Sequence, residues 1–461
     1  MIFFNPLDSS CNYAASISSM KILKFGGTSV GSAESIRNVK EIIRGQKGRK
    51  IVVVSAMSGV TNKLVEIAES QKSGNEQQVE GLMFEIKLKH LQLIEELIEN
   101  KETKKLTENL FLELYKQLEE TLHLKPLSEA AVITFGETFL SLIFSQFLEV
   151  QGVSNTLLDA KDFMQVSNVE NPHIQTVQEL LKTTLKREVT SEVYITQGFI
   201  RIDRNKNVST LKRGGSDYTA TIIGAAVNAT EVQIWTDIDG FHNNDPRFVD
   251  HTQALTHLTF EEAAELAYFG AKILHPQTVS PVKERNIPIY LKNTFTPEAP
   301  GTCISSKVHG SGLKAISAKD GITAIKIKSN RMLMAHGFLK KIFDVFDKHE
   351  TAIDMITTSE IAISLTIDDT QNLDKILYEL DEYGEITVDS NHSIICVVGE
   401  GVINDHETFR LFELLNDLPV RMISYGGSSN NISLLVDTKN KVQALQLLHH
   451  KLFEGKIVKK T

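Results

Sequence analysis

Residues able to do chemistry fall into two stretches of similar design. Lys21 to Phe25 is a short β-type run that breaks at Gly26-Gly27 and resumes with the helix-capping residues Thr28-Ser29, after which Ala33 to Arg44 reads as a helix. Much later, Val208 to Leu211 runs into Lys212-Arg213-Gly214-Gly215-Ser216-Asp217-Tyr218-Thr219, with a helix from Ala220 to Asn228. Strand, glycine pair and helix start together make an anion cradle. The glycines let backbone N–H groups approach a phosphate, and the helix start adds unpaired donors and the positive end of a dipole. Lys24, at the carboxyl end of its strand, reaches the same anion, and Arg213 can hold a carboxylate bidentately. The N–H groups of Gly214, Gly215 and Ser216 suit a second anion. Asp217 reads either as the N-cap of the following helix or as the group that fixes a metal-bound phosphate or a substrate amine. No Walker A loop occurs, and no G-x-G-x-x-G follows a strand. Taken alone, each glycine pair equally serves as a plain connector.

Other polar groups stand in unusual company. Leu127 to Val150 reads as one long amphipathic helix with Gly136-Glu137 near its middle. Glycine there costs about 1 kcal/mol relative to alanine, so it marks a close approach or a kink. Glu137, between Phe135 and Phe139, is either an exposed turn or a carboxylate facing a bound cation or amino group. Thr236-Asp237 follows the strand Val232–Trp235, and Asp245-Pro246-Arg247 follows a loop. They offer a nucleotide hydroxyl, carboxylate and guanidinium groups, or form a solvated turn. Lys272 is a cation among apolar residues near a helix start.

The elements that must position these groups alternate. Ile51–Val54 is an apolar strand ending in Ser55-Ala56-Met57-Ser58-Gly59, and Thr61 to Ser70 starts a helix. Apolar strands alternating with helices predict an α/β domain whose mainly parallel sheet is covered on both faces. From about 74 to 125, apolar residues at helical spacing predict an inserted helical hairpin. The segment 296–312 reads as a boundary, with 301–312 as linker. Beyond it the rhythm is βαββαβ, a ferredoxin-like unit ending near 389, then a second copy over 390–461 that stops one strand short. The unassigned strand Leu313–Ala318 is predicted to cross over and complete it.

The chain has 461 residues, 41% hydrophobic, enough for two to four domains. A formal charge of −9 and a pI near 5.9 argue against nucleic-acid or anionic-membrane partners. Cys11, Cys303 and Cys396 share no metal-ligand spacing and form no disulfide framework, which favours a cytoplasmic setting. No apolar run approaching membrane-spanning length is expected. Residues 1–19 make a poor signal peptide and are read as a loose arm or as preceding a true start at Met20.

In order along residues 20–292, KFGGTSVGS, SAMSGVTN, FGE, RGGSDYTA, WTDIDG, NDPR and FGAKILHP resemble the signature blocks of aspartate kinases, and the C-terminal repeat resembles that family's paired ACT regulatory domains. The resemblance implies a three-layer amino acid kinase domain. It also implies transfer of the ATP γ-phosphoryl group to the β-carboxylate of L-aspartate, giving 4-phospho-L-aspartate, the first step towards lysine, threonine and methionine. It assigns Lys24, Gly26, Gly27 and Thr28 to the transferred phosphoryl, with Ser55 and Thr61 on the substrate side. Glu137 goes to the α-ammonium and Arg213 to the α-carboxylate. Gly215, Ser216 and Asp217 belong to the phosphate and Mg²⁺ region, Mg²⁺ being carried with the ATP. Thr236, Asp237, Arg247 and Lys272 are assigned to the nucleotide, with His242 where an aromatic usually meets adenine. Lys212 and Arg201 add positive charges where the family has glycine. In the first regulatory unit, Met332, Phe338, Leu339, Asp354, Ser359 and Glu360 match lysine-inhibited members, with Asp354 and Glu360 for the two ammonium groups of lysine. The resemblance further implies a homodimer or homotetramer through the ACT units, and a monofunctional enzyme.

Overall fold

The computed structural model describes residues 20–187, 191–212, 214–270, 274–329, 336–404, 408, 411 and 418–454. They form two units. The first holds the chain up to Phe241 with Thr256–Phe260 and Leu274–Lys307; the second holds His242–Leu255, Glu261–Ile273 and the chain from Val308.

The first unit is built on an eight-stranded sheet. Its elements are β1 (Lys21–Phe25), α1 (Ala33–Gly45), β2 (Lys50–Val54), α2 (Val60–Ser73), α3 (Glu76–Leu97), α4 (Lys101–Leu122), α5 (Glu129–Ile133), α6 (Phe135–Val150), β3 (Asn155–Leu158), α7 (Ile174–Arg187), β4 (Val193–Gln197), β5 (Ile200–Ile202), β6 (Val208–Thr210), α8 (Gly215–Val227), β7 (Glu231–Thr236) and β8 (His257–Thr259). After α9 (Phe260–Tyr268), which continues into the second unit, come β9 (Ile289–Asn293) and β10 (Thr302–Ser305). The strand order is β3-β4-β2-β1-β7-β9-β10-β8. β1 lies between β2 and β7, both parallel to it, so Lys24 stands beside Val53 and Ile234. β2 and β4 are buried throughout, as strands covered on both faces require. α3 and α4 are the inserted hairpin, and their inner faces join the same core as α2 and α6.

Three expectations change here. The strand Ile287–Leu291, read from its apolar run as the last of the sheet, is β9, and the sheet continues beyond it. Thr302–Ser305, placed in the linker by its prolines and glycines, pairs antiparallel with β9 and parallel with β8. Leu127–Val150 is two helices meeting at Thr134, so Glu137 lies in the first turn of α6 and not mid-helix. Finally, the span Glu129–Val150 is long and apolar enough to cross a membrane, where no run of that length is expected from the sequence. Its most apolar window is 78% buried inside the protein, so it is packed as a core helix.

The second unit carries a six-stranded antiparallel sheet of order β12-β13-β11-β14-β16-β15. Its strands are β11 (Gly312–Lys328), β12 (Met355–Thr358), β13 (Ala362–Ile367), β14 (Glu385–Glu400), β15 (Val420–Ser424) and β16 (Asn431–Asp437); its helices include α10 (Phe338–Lys348), α11 (Leu373–Leu380) and α12 (Lys441–Leu452). β11 and β14 pair along nearly their whole length. The second half of β11 pairs with β13, the second half of β14 with β16, and the first half of β11 is the fourth strand of the second ferredoxin-like unit. Lys319-Asp320-Gly321 and Asn391 fall between runs read as separate strands in the sequence. Here they are irregularities in two continuous strands, absorbed by left-handed backbone at Gly321 (φ 80) and Asn391 (φ 64).

Candidate active site

The carboxyl end of β1, the loop after β2, the start of α6 and the start of α8 surround a cleft of about 540 Å³ in the first unit. Lys24, Gly27, Ser55, Thr61, Glu137, Gly215, Ser216 and Asp217 all line it. The two glycine turns, remote in sequence, thus share one cavity.

Lys24 reaches the cleft because β1 runs through the centre of the sheet and ends there. Its side chain is about nine-tenths buried, and its Nζ lies 2.6 Å from Asp217 Oδ1. Asp217 is not the N-cap of its helix. α8 begins at Gly215 behind Gly214, which is left-handed (φ 72) and offers no side-chain cap, so the amino end of α8 presents backbone donors to the cleft. Glycine is required at this turn: a Cβ on Gly214 would stand 2.8 Å from His275 Cβ, and one on Gly215 would stand 2.5 Å from the Phe199 ring.

Glu137 is buried, at 3% exposure, which removes the exposed-turn reading. Its Oε1 accepts a hydrogen bond from the Ala56 N–H at 3.2 Å, and Oε2 has no hydrogen-bond partner. Burial pushes its carboxyl up to about 8, against the opposing pull of the Ala56 N–H and Lys24. Gly136 explains how the carboxylate is delivered. A Cβ there would stand 2.8 Å from Ala56 Cβ, so only glycine lets the start of α6 lie against the loop after β2. Glu137 is therefore a neutral, under-bonded acid facing a cavity that holds a cation.

The remaining expected residues are placed differently. Gly26 and Thr28 are not among the cleft-lining residues. Gly26 adjoins Lys24, where a Cβ would sit 3.5 Å from Nζ. α1 is capped by Ser32, whose side chain accepts from the Ser35 N–H. The expected cap Ser29 is fully buried and bonds Thr294 Oγ1 at 2.7 Å and the Trp235 carbonyl. Thr236 and Asp237, hydrogen-bonded to each other at 3.0 Å, end β7 outside this cleft. His242 and Arg247 belong to the second unit, where His242 meets Thr252 and the guanidinium of Arg247 is held by Asp245 at 2.6–3.1 Å. Arg213, Lys272 and Met332 lie outside the described residues.

Arg201 bonds the carbonyls of Thr210 and Val166, which joins it to the fold. Lys212 lines the cleft with left-handed backbone (φ 63) and pairs with Glu170 at 3.2 Å. In the second unit, Phe338 is buried, Leu339, Ser359 and Glu360 are exposed, and Asp354 is held by Lys319 and Tyr268. Sequence reasoning missed Phe199 (φ 69), Met57 and Asn62 as cleft-lining residues. The last two were visible only as members of the block SAMSGVTN.

The amino acid kinase family matches residues 19–293, and an ACT domain matches residues 389–452. Lysine-sensitive aspartokinase 3 of Escherichia coli is 32% identical over 462 residues, covering 95% of this chain and 100% of that protein. The crystal structure of E. coli aspartokinase III with aspartate and ADP, an R-state, has a TM-score of 0.83 at 29% identity, covering 94% of this chain and 100% of the other. The T-state complex of the same enzyme with lysine and aspartate has a TM-score of 0.79 at 29% identity, covering 94% and 99%. With its family match, end-to-end relative and fold in agreement, the chain belongs to the aspartokinases of the amino acid kinase family.

Proposed function

We propose that the cleft of the first unit binds L-aspartate and the phosphates of ATP, and that the chain transfers the γ-phosphoryl group to the aspartate β-carboxylate. The observation that carries this reading is the pairing of opposites in one cavity. A buried carboxyl with an unpartnered oxygen, Glu137, can take a cation, and a buried lysine between two glycine turns, Lys24, is held by Asp217 where it can also meet an anion. An amino acid that is itself phosphorylated presents both. The α-ammonium goes to Glu137, and Ser55 and Thr61 flank the side chain.

Lys24, Gly27, Gly215 and Ser216 neutralise and hold the phosphoryl group in flight, which is the main demand of this reaction. The nucleophile is a carboxylate already ionised at neutral pH, so no general base is needed. Among the described residues no cluster of three potential ligands exists to cage a metal. A single carboxylate, Asp217, fits Mg²⁺ that arrives on the nucleotide, since that ion takes one or two protein carboxylates plus phosphate oxygens. Bound there, Mg²⁺ would neutralise phosphate charge. Asp217 meanwhile orients the Lys24 ammonium.

The relative whose name calls it lysine-sensitive, and its complex with lysine, support lysine as the effector of the second unit, with Asp354 and Glu360 as its carboxylates. The edges of the ferredoxin-like units are the proposed homodimer or homotetramer contact, and the free thiols of Cys303 and Cys396 support a cytoplasmic setting. Trapping the acyl phosphate with hydroxylamine tests the activity: hydroxamate should form only with aspartate and Mg-ATP together. Hydroxamate from acetylglutamate instead, or none at all, rejects the assignment.

A further inference from the structure

α9 is tied to the sheet of its unit by three polar side chains, Glu262, Glu265 and Tyr268, spaced three residues apart. Lys314 Nζ lies 2.8 Å from Glu262 Oε1, the Asn431 amide donates to Glu265, and the Tyr268 hydroxyl donates to Asp354 Oδ1 at 2.9 Å. Just past the helix, Gly270 (φ 119) lies so close to β11 that a Cβ would stand 1.8 Å from the Ala318 carbonyl oxygen. The next residue of β11, Lys319, puts its Nζ 2.8 Å from Asp354 Oδ1, 2.8 Å from Asp368 Oδ2 and 4.3 Å from the centre of the Tyr268 ring. The Asp354 side chain is fully buried, and its Oδ2 has no hydrogen-bond partner. One enclosed carboxylate is thus shared by an internal ammonium and an internal phenol, with an oxygen left over.

We infer that Asp354 is a contested acceptor: Lys319 occupies the place an effector ammonium would take, and Tyr268 registers the exchange. The inference rests on the lysine-effector reading above. An arriving ammonium reaches the buried carboxylate by displacing Lys319, because two cations on one enclosed carboxylate repel. Lys319 keeps Asp368, which is 40% exposed, so displacement leaves it paired. Burial pushes the Asp354 carboxyl above its usual range even with Lys319 opposing, so a second cation to neutralise it is favoured once the first has left. Turning the carboxylate towards the effector draws Oδ1 from the Tyr268 hydroxyl and frees the last of the three anchors of α9. Two residues beyond Gly270 in the sequence comes Lys272, which the family resemblance assigns to the nucleotide.

The test measures lysine binding by calorimetry and lysine inhibition of initial rate on the same full-length preparations. Tyr268→Phe should keep its uninhibited rate and its lysine affinity within about threefold, the scale of one neutral hydrogen bond. Saturating lysine should nonetheless inhibit it at least about tenfold less than wild type, because the reporter is gone. Lys319→Met should bind lysine about tenfold more tightly, with the internal competitor removed; Lys319→Gln serves if the methionine variant folds poorly. Wild-type inhibition in Tyr268→Phe, parallel loss of binding and inhibition there, or weaker lysine binding in the Lys319 variants overturns the inference. A wild-type protein that binds no lysine overturns the effector reading, and the inference falls with it.

Discussion

Glu137→Gln separates a catalytic-site carboxylate from a buried structural one. In the empty cleft its carboxyl, pushed up to about 8 by burial, is mostly protonated at pH 7. Meeting an α-ammonium requires that proton to leave. At pH 7 this costs about one pKa unit, or about 1.4 kcal/mol, so aspartate affinity should rise about tenfold per pH unit below 7 and about fivefold from 7 to 8. Calorimetry in two buffers of different ionisation enthalpy should show about nine-tenths of a proton released per aspartate bound at pH 7. A glutamine keeps the Ala56 contact but leaves the ammonium without a counter-charge. Removing one partner of a buried pair costs about 3–5 kcal/mol. Less the deprotonation cost, that leaves about 1.6–3.6 kcal/mol, an aspartate KM raised about 15- to 400-fold with little pH dependence.

Stability should move the other way. A carboxyl whose folded pKa lies above its unfolded value of 4.5 loses stabilisation as pH rises through 4.5 to 8, about 5 kcal/mol at the limit, and glutamine does not titrate. The Tm of Glu137→Gln should therefore gain on wild type from pH 5 to 8. An unchanged KM together with no proton release on aspartate binding would falsify the assignment of Glu137 to the substrate ammonium.

Lys24→Ala should lower kcat at least about 100-fold, as loss of one preorganised charge donor does. A variant retaining more than a tenth of wild-type kcat contradicts the role. Adding Asp217→Asn should restore stability lost by stranding Asp217 without restoring activity, which thermal melts beside rate assays would show. Gly136→Ala forces a methyl into Ala56, with an overpacking cost of about 1–3 kcal/mol partly offset by about 1 kcal/mol of helix propensity. Its aspartate KM should rise because Glu137 is displaced; a normal KM means the close approach is not what delivers it. His90 is fully buried between Phe111 and Phe139, and burial holds its imidazole down to about 4. Below pH 6.5 the unfolded chain binds the proton and the folded one does not, so stability falls on acidification from 6.5 to 4 by about 3 kcal/mol at the limit. His90→Leu should flatten that part of the Tm–pH curve, and an undiminished slope would place the acid sensitivity elsewhere.

Local pattern was enough for many of the elements. Apolar runs such as Ile51–Val54, the helical spacing of 74–125 and the strands of the repeated βαββαβ rhythm each depend on neighbours a few residues away, and the described residues contain them; the expected helix 409–415 lies, but for Leu411, outside the described residues. Patterns failed where long-range pairing overrode a local signal. Thr302–Ser305 became a strand because β9 and β8 lie on either side of it, and Asp320-Gly321 became a bulge because β14 runs past it. Residue type alone marked Lys24, Glu137 and the two glycine pairs as chemically unusual. It could not show that Gly27 and Gly215 share a cavity, that Lys24 lies 2.6 Å from Asp217, or that Glu137 is buried with an oxygen unpartnered. Those facts depend on the order in which parallel strands assemble. Adjacent β1 and β2, and a glycine that lets α6 touch Ala56, bring together residues more than a hundred positions apart in one cleft, and burial there raises the pKa of Glu137.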